Sequence, residues 1–305
     1  MRRLSRGGIL FKATKWIARH RLNSVPHERS LGSSAVLLLP ALVALALLYL
    51  APMFLLVLTS FHRSLGIGRV GDDFTFANYV EFLGDPFYLN IVFTTLWLGV
   101  LVAAICLLLA FPVAYFLART RTRWRGSLIF LVVAPLLISL VIRNLGFLPI
   151  LGTNGLVNRL LIVIGAVNEP LALIGFTGVV VGLVHALLPF MILTLTTVIQ
   201  RIEVEIEEAS ISLGAGPFRT FWYVVLPLSR PGLIAGSILV FTLAISAYTT
   251  PAMLGGNKVI VMSTYIAQQV LLVMNNAFGA TAAVILTLAA VGIALFSLSG
   301  RHEKA

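Results

Sequence analysis

The chain of 305 residues is poor in cysteine, in charge and above all in acid. Its single cysteine, Cys106, lies in an apolar run, so no intrachain disulfide and no cysteine metal cluster can be built; a small packing residue is the expectation. Charged residues make up only 11% of the chain and hydrophobic residues 59%, where soluble domains carry about a quarter charged. That balance describes an integral membrane protein. No Walker A sequence occurs, so the chain is expected not to hydrolyse ATP itself. None of the long apolar runs holds an Asp or Glu, which disfavours ion-driven transport by this chain alone, because such carriers commonly place ionisable groups at mid-membrane. No Ser/His/Asp, paired-Asp or zinc-binding set can be assembled from those runs, so no catalytic residue and no metal site are assigned.

What is present is hydrophobic length. Six runs approach or exceed the roughly 20 residues needed to cross a bilayer: Ser34 to Thr59, Leu89 to Leu117, Ser127 to Ile142, Ala172 to Ile199, Leu233 to Pro251 and Gly279 to Leu298. The expected fold class is therefore an all-α membrane protein of about six spans. Two further apolar pieces, Leu156 to Val167 and Val259 to Val273, are ambiguous. Leu156, Leu160, Leu161 and Ile164 recur at helical spacing, which suits a short amphipathic helix at the interface.

Basic residues set orientation. Of the 22 Lys and Arg, seventeen fall in the N-terminal tail, the Arg119 to Arg125 loop, the loop after the fourth span and the C-terminus, and five fall on the other side. The excess places both termini and residues 201–230 in the cytoplasm. The domain reading is a basic cytoplasmic tail over 1–32, a transmembrane domain over 33–300 with a cytoplasmic loop at 201–230, and a cytoplasmic end at 301–305. The first run is too long for a signal-peptide core and reads as an uncleaved anchor. With its charge of +11 explained by topology, nucleic acid is not an expected partner; membrane lipid is.

Some features mislead. Gly66-Ile-Gly-Arg-Val-Gly71 matches G-x-G-x-x-G, yet a dinucleotide site needs a strand before it and a helix after it in a βαβ unit. Here it follows a span, and a flexible turn is expected. His185 lies inside the fourth span beside Pro189 without a second ligand at metal-binding spacing; a hydrogen bond to a neighbouring helix is the first expectation and a place on a substrate path the second. Gly178-x-x-x-Gly182 and Gly232-x-x-x-Gly236 are expected to let helices approach closely.

The polar stretch EVEIEEASISLGAGPFRTFWYVVLPLSRPG, residues 203–232, is different. Burying Arg201, Glu203, Glu205, Glu207, Glu208 and Arg219 at the bilayer centre would cost roughly 2.5 to 3.5 kcal/mol each, about 15 to 20 kcal/mol together. The loop must lie in water or against protein. Ile202, Ile206, Ala209 and Leu213 nevertheless recur at helical spacing and form one apolar face. Gly214-Ala-Gly-Pro217 ends that helix and starts a second, on which Phe218, Phe221, Trp222 and Val225 make another apolar face. Two short helices at a sharp bend, apolar and solvent-accessible, form a docking element.

Glu208-Ala209-Ser210, then Gly214, Val224 and Leu226-Pro227, resembles the EAA signature of permease subunits of binding-protein-dependent ABC importers, E-A-A-x3-G-x9-I-x-L-P, with Ser for the second Ala and Val for Ile. The resemblance implies a type I ABC importer (MetI-like) permease fold in a bacterial inner membrane, two cytoplasmic ATPase subunits that bind the ATP, a second similar permease and an external solute-binding protein. It also implies roles by position: Ala209 for close approach, Glu208 as polar anchor, Gly214 as the bend, and Leu226-Pro227 as the return to the membrane. Thr250-Pro-Ala-Met-Leu-Gly-Gly256, Arg143-Asn-Leu-Gly-Phe147 with Gly152-Thr-Asn-Gly-Leu-Val-Asn158, and Phe278-Gly-Ala280 are similar to the spermidine/putrescine branch. That branch also contains importers of other small solutes. Tyr248, Thr249 and Thr250 are candidates for the translocation path, with helix packing as the alternative. A stand-alone carrier or channel, and a membrane scaffold docking a cytoplasmic partner, remain the rival readings.

Overall fold

A computed structural model describes residues 31–299 apart from Ile67 and Asn257. All but the last two residues of the expected N-terminal tail, and the whole C-terminal 301–305, lie outside the described residues. The chain divides into two compact units, one ending at Leu55 and the other beginning at Leu56. Helix α1 (Leu31–Ser60) carries the first expected span. Leu42, Val43, Leu45, Leu47 and Leu48 point to different sides of it and are all exposed, the pattern of a helix solvated by lipid.

In the second unit, β1 (His62–Gly66) and β2 (Arg69–Phe74) pair antiparallel. The expected flexible turn is thus an ordered hairpin. Gly66 and Gly68 take positive φ at its tip. Gly68 donates its N–H to the Met274 carbonyl at 2.8 Å, and Asn276 Nδ2 donates to the Gly68 carbonyl at 3.2 Å. An antiparallel strand, not a helix, follows these glycines, so the dinucleotide fingerprint has no structural counterpart.

Helices α2 (Ala77–Gly84) and α3 (Pro86–Arg119) follow. Asp85 caps α3 by accepting the Phe87 N–H at 2.8 Å, and Pro86 occupies the first turn, where its missing N–H costs nothing. At 34 residues α3 is roughly 50 Å long against a hydrocarbon core of about 30 Å. It therefore carries its last turn, with Tyr115 and Arg119, to the edge of the bilayer or beyond.

Next come α4 (Arg125–Val133) with a 3-10 turn at Ala134–Leu137, α5 (Leu140–Leu151), α6 (Leu156–Val163), α7 (Phe176–Ile199) and α8 (Val204–Ser212). They are followed by α9 (Pro217–Leu228), α10 (Arg230–Ser246), α11 (Thr249–Leu254), α12 (Met262–Leu271) and α13 (Asn276–Ser299). Among the described residues, five stretches are long and apolar enough to cross a membrane, and the bent pair α9 and α10, counted as one span, makes a sixth. The expected number of spans stands, but three of them sit differently.

The expected span Ser127 to Ile142 breaks at Ile138, whose backbone is extended just past the tight turn that contains Pro135. Crossing length lies instead in Leu140–Val163. Within it, α6 is a separate short helix as foreseen at Leu156, but it belongs to the crossing-length stretch, where an interfacial helix apart from the spans was expected. Its side against the protein is set by Asn158, which is fully buried and donates to the carbonyls of Gly152, Thr153 and Leu171, while Leu156, Leu160 and Ile164 are exposed. The fourth span starts at Phe176 rather than Ala172, because Gly175 turns at φ +133° and donates to the Leu254 carbonyl at 2.8 Å. The fifth ends at Ser246, since Ala247 is extended, and Pro251 belongs to the first turn of α11.

The core is a triple of α3, α7 and α10, filled by Leu98, Val102 and Cys106 of α3, Leu183, Met191 and Leu195 of α7, and Val240 and Ile245 of α10. Small residues set the helix separation. A Cβ on Gly232 would stand 2.9 Å from Val198 Cβ, and one on Gly236 would stand 2.6 Å from Met191 Sδ, so both glycines are packing residues. At the Pro86 end of the bundle a second cluster joins Phe82, Ile91, Met262, Tyr265 and Phe278.

Candidate functional site: the bent helix pair at residues 201–230

The loop after α7 folds as two helices joined by a capped bend. Leu213 ends α8, and Gly214 follows at φ +89° with nothing within 4 Å of where a side chain would begin. Gly214 donates its N–H to the Ile211 carbonyl at 2.9 Å and Ala215 to the Ser210 carbonyl at 3.1 Å. This is the two-bond helix stop that a left-handed residue makes possible. Pro217 then opens α9, and the Ser210 and Thr220 hydroxyls meet at 3.1 Å to tie the two helices together.

Inside α9, residues Phe221–Val225 form a π-helical turn in which the Leu226 N–H reaches back to the Phe221 carbonyl. The widened turn stands immediately before Pro227, whose ring would crowd a normal turn. Ser229, fully buried, donates its hydroxyl to the Val225 carbonyl at 2.7 Å. Between Leu228 and Arg230 the path bends by 65° into α10. Back-bonding by Ser at such a position favours a bend.

The faces expected from the sequence divide in an informative way. On α9, Phe221 packs edge-on against Phe111 and Tyr115 of α3, and Val225 is fully buried. Phe218 is 76% exposed and Trp222 49%. On α8, Ile202 just ahead of the helix is buried, whereas Ile206, Ala209 and Leu213 are exposed, Leu213 at 89%. Glu208 is exposed as well; Val224, Leu226 and Pro227 are half-buried. An apolar surface made of Leu213, Phe218 and Trp222 thus faces outward from the bend.

The side of α8 that meets the bundle is a glutamate. Glu207 is 7% exposed and accepts from Arg119 Nε at 2.9 Å, from Arg119 Nη2 in a closer ion pair, and from the Tyr115 hydroxyl at 2.8 Å. Arg119 also donates to the Ile202 carbonyl at 3.1 Å. A carboxylate and a guanidinium so sheltered attract strongly, and removing either partner typically costs about 3 to 5 kcal/mol. Sequence reasoning missed this contact because the cost of burying its charges places the loop in water or against protein without saying which glutamate meets which partner. The available signal was Arg119, a cation placed where a long span ends.

The other candidates lie away from the loop. Tyr248, Thr249 and Thr250 come together on a cavity of about 350 Å³ between α5, α7, α10 and α11, together with Arg143, Leu183 and Leu187. Thr250 is buried and shares a hydrogen bond of 3.2 Å with Asn144 Nδ2. Arg143, which the sequence offered only as a topology marker, is 9% exposed and donates to the Pro135 and Ile138 carbonyls, closing the end of the 3-10 turn. His185 does not line the cavity; it is exposed and stands edge-on to Phe147 at 5.4 Å.

Residues 74–305 match the family described as binding-protein-dependent transport system inner membrane component. The chain is 34% identical to the spermidine/putrescine transport system permease protein PotB of Haemophilus influenzae, over 78% of this chain and 83% of that protein. It is 32% identical to PotB of Escherichia coli K12, over 80% and 89%. In fold it is similar to a chain of the bacterial alginate ABC transporter solved in complex with an alginate pentasaccharide-bound periplasmic protein. There the TM-score is 0.73 at 18% identity, covering 88% of this chain and 94% of that one.

Proposed function

Because this chain belongs to the family of inner-membrane components of binding-protein-dependent transport systems, we propose that residues 201–230 are the surface through which ATP hydrolysis in separate subunits drives solute import. The chain is a multi-pass membrane permease and a transporter component rather than an enzyme. The observation that carries the coupling role is the outward apolar surface of Leu213, Phe218 and Trp222, on a helix pair held to α3 by Arg119 and Glu207.

In this reading two cytoplasmic ATPase subunits hold the ATP, a second similar permease completes the pathway and an external binding protein delivers the solute. On the same reading both termini and the loop face the cytoplasm, which the excess of basic residues on that side supports. Ala209 is exposed and small, so a groove can close over α8; Glu208 beside it is a free polar anchor. Gly214 fixes the angle between the helices, Ser210 braces α8 on α9, and Val224, Leu226 and Pro227 lead back into the membrane. When the ATPase subunits close, α8 and α9 move with them. The ion pair passes that displacement to α3 and the 65° bend passes it to α10, which are two of the three core helices.

The solute is a small organic molecule, and the polyamine relatives favour spermidine or putrescine. The cavity holding Tyr248, Thr249 and Thr250 lies between α5, α7, α10 and α11, and in this reading it is where the solute passes; His185 faces elsewhere. The direct test is ATP-dependent uptake of labelled spermidine and putrescine by the permease reconstituted with its partner subunits and binding protein. Uptake that survives without the ATPase subunits contradicts the reading.

A further inference from the structure

A groove of about 680 Å³ opens between the end of α3, the loop that follows it and the residues entering α8. Arg121 and Arg125 line it, with the hydroxyls of Thr120 and Thr122 and the amide of Gln200. Arg119 contributes its edge, but Glu207 already neutralises its charge. The one carboxylate on the lining is Glu203. Neither Arg121 nor Arg125 forms an ion pair with any acid among the described residues, and Nε of Arg125 is buried without a hydrogen-bond partner. Arg121, Arg125, Thr120, Thr122 and Gln200 therefore line one recess in which Glu203 is the single opposing charge beyond the Arg119–Glu207 pair.

The recess lies at the level of the membrane edge. It begins where α3 has outrun the hydrocarbon, and the next aromatic residue, Trp124, is 60% exposed with the Arg123 guanidinium 5.4 Å from its ring centre. Exposed Trp beside Arg marks headgroup depth in membrane proteins. Guanidinium groups match the oxygens of a phosphate in a way that ammonium groups do not. Basic pockets between spanning helices are suited to anionic headgroups.

We propose that this groove binds a phosphate group, held by Arg121 and Arg125, and that its source is the headgroup of an anionic phospholipid. Its position gives the ligand a consequence: Gln200, Ile202 and Glu203 line the groove just before α8, and Arg119, at the end of α3, lines it while holding Glu207 of α8. A bound phosphate screens the repulsion among the loop arginines and stiffens the segment from which α8 is suspended. The outward apolar residues Leu213, Phe218 and Trp222, which carry the proposed coupling role, are not among those that line the groove, so the site stands whether or not the coupling role does.

The experiment is native mass spectrometry of the intact, purified importer exchanged into mixtures of phosphatidylcholine and phosphatidylglycerol. Wild type is expected to retain phosphatidylglycerol over phosphatidylcholine. Each cation near an anionic surface is worth about fivefold in affinity, so Arg121→Gln with Arg125→Gln should weaken retention about thirtyfold. Arg123→Gln removes a charge from the same loop outside the groove, and less than a fivefold change is expected. Excess inorganic phosphate separates the sources: no displacement assigns the site to lipid, whereas displacement that the double variant abolishes keeps the phosphate site and overturns its lipid source. Retention unchanged in the double variant, or lowered equally by Arg123→Gln, overturns the site itself.

Discussion

Arg119, the last residue of α3, holds Glu207 of α8, and the hydrogen bond from Tyr115 to the same carboxylate comes from one turn earlier on α3. One acid thus fastens the bent helix pair to the longest helix in the bundle. Glu207→Ala leaves the guanidinium sheltered and alone, and should lower the stability of the purified protein by about 3 kcal/mol or more. Tyr115→Phe removes only one hydrogen bond to a charged acceptor, for about 1.5 to 3 kcal/mol. The exchange Arg119→Glu with Glu207→Arg should recover part of the loss. Thermal unfolding in detergent checks all three, and a double variant no better than the worse single one would refute the pairing.

Phe221 and Phe218, two of the aromatic residues of α9, should separate by role. Phe221→Ala removes a half-buried ring packed on Phe111 and should destabilise by about 1 to 3 kcal/mol. Phe218→Ser, at a residue 76% exposed, should leave unfolding within about 0.5 kcal/mol of wild type. Its effect should appear instead as loss of co-purifying ATPase subunits. Pull-down with the partner subunits, alongside thermal unfolding, distinguishes the two outcomes.

The two glycines of α10 should also differ. At Gly232 an added methyl meets the branched Cβ of Val198, which cannot turn away without moving α7. At Gly236 it meets Met191 Sδ, the adaptable end of a flexible side chain. Gly232→Ala should therefore lower the unfolding temperature more than Gly236→Ala, and the reverse order would mean that the helices are not set by these contacts.

Much of this arrangement is legible in the sequence because membrane insertion leaves a coarse signal. Long apolar runs give α1, α3, α7 and α13 to within a few residues, and Gly214 with Pro217 gives the bend. The breaks were not legible, because hydropathy does not distinguish a continuous run from one interrupted at Ile138 or Ala247 by backbone turns. The hairpin at His62–Phe74 escaped notice because its order comes from distant partners, Met274 and Asn276. Periodicity found the apolar face of α8 but could not say which way it pointed. The contact that decides it, Arg119 with Glu207, spans 88 residues. The EAA-like residues were visible by spacing alone, whereas Arg143 became a site residue only when the fold brought it to the cavity with Tyr248.

The coupling role can be challenged without disturbing the fold. Ala209 is exposed on α8, so Ala209→Arg should leave insertion and thermal stability unchanged while blocking close approach of a partner. Gly214→Pro is the companion, because φ +89° is closed to proline and the Gly214 N–H to the Ile211 carbonyl would be lost. The deciding measurement is ATP hydrolysis stimulated by solute-loaded binding protein, together with uptake, in proteoliposomes carrying the Ala209→Arg permease and its partners. Loss of both, with the variant properly inserted and folded, is the expected result; normal stimulated hydrolysis and uptake would contradict the assignment of residues 201–230 as the coupling surface.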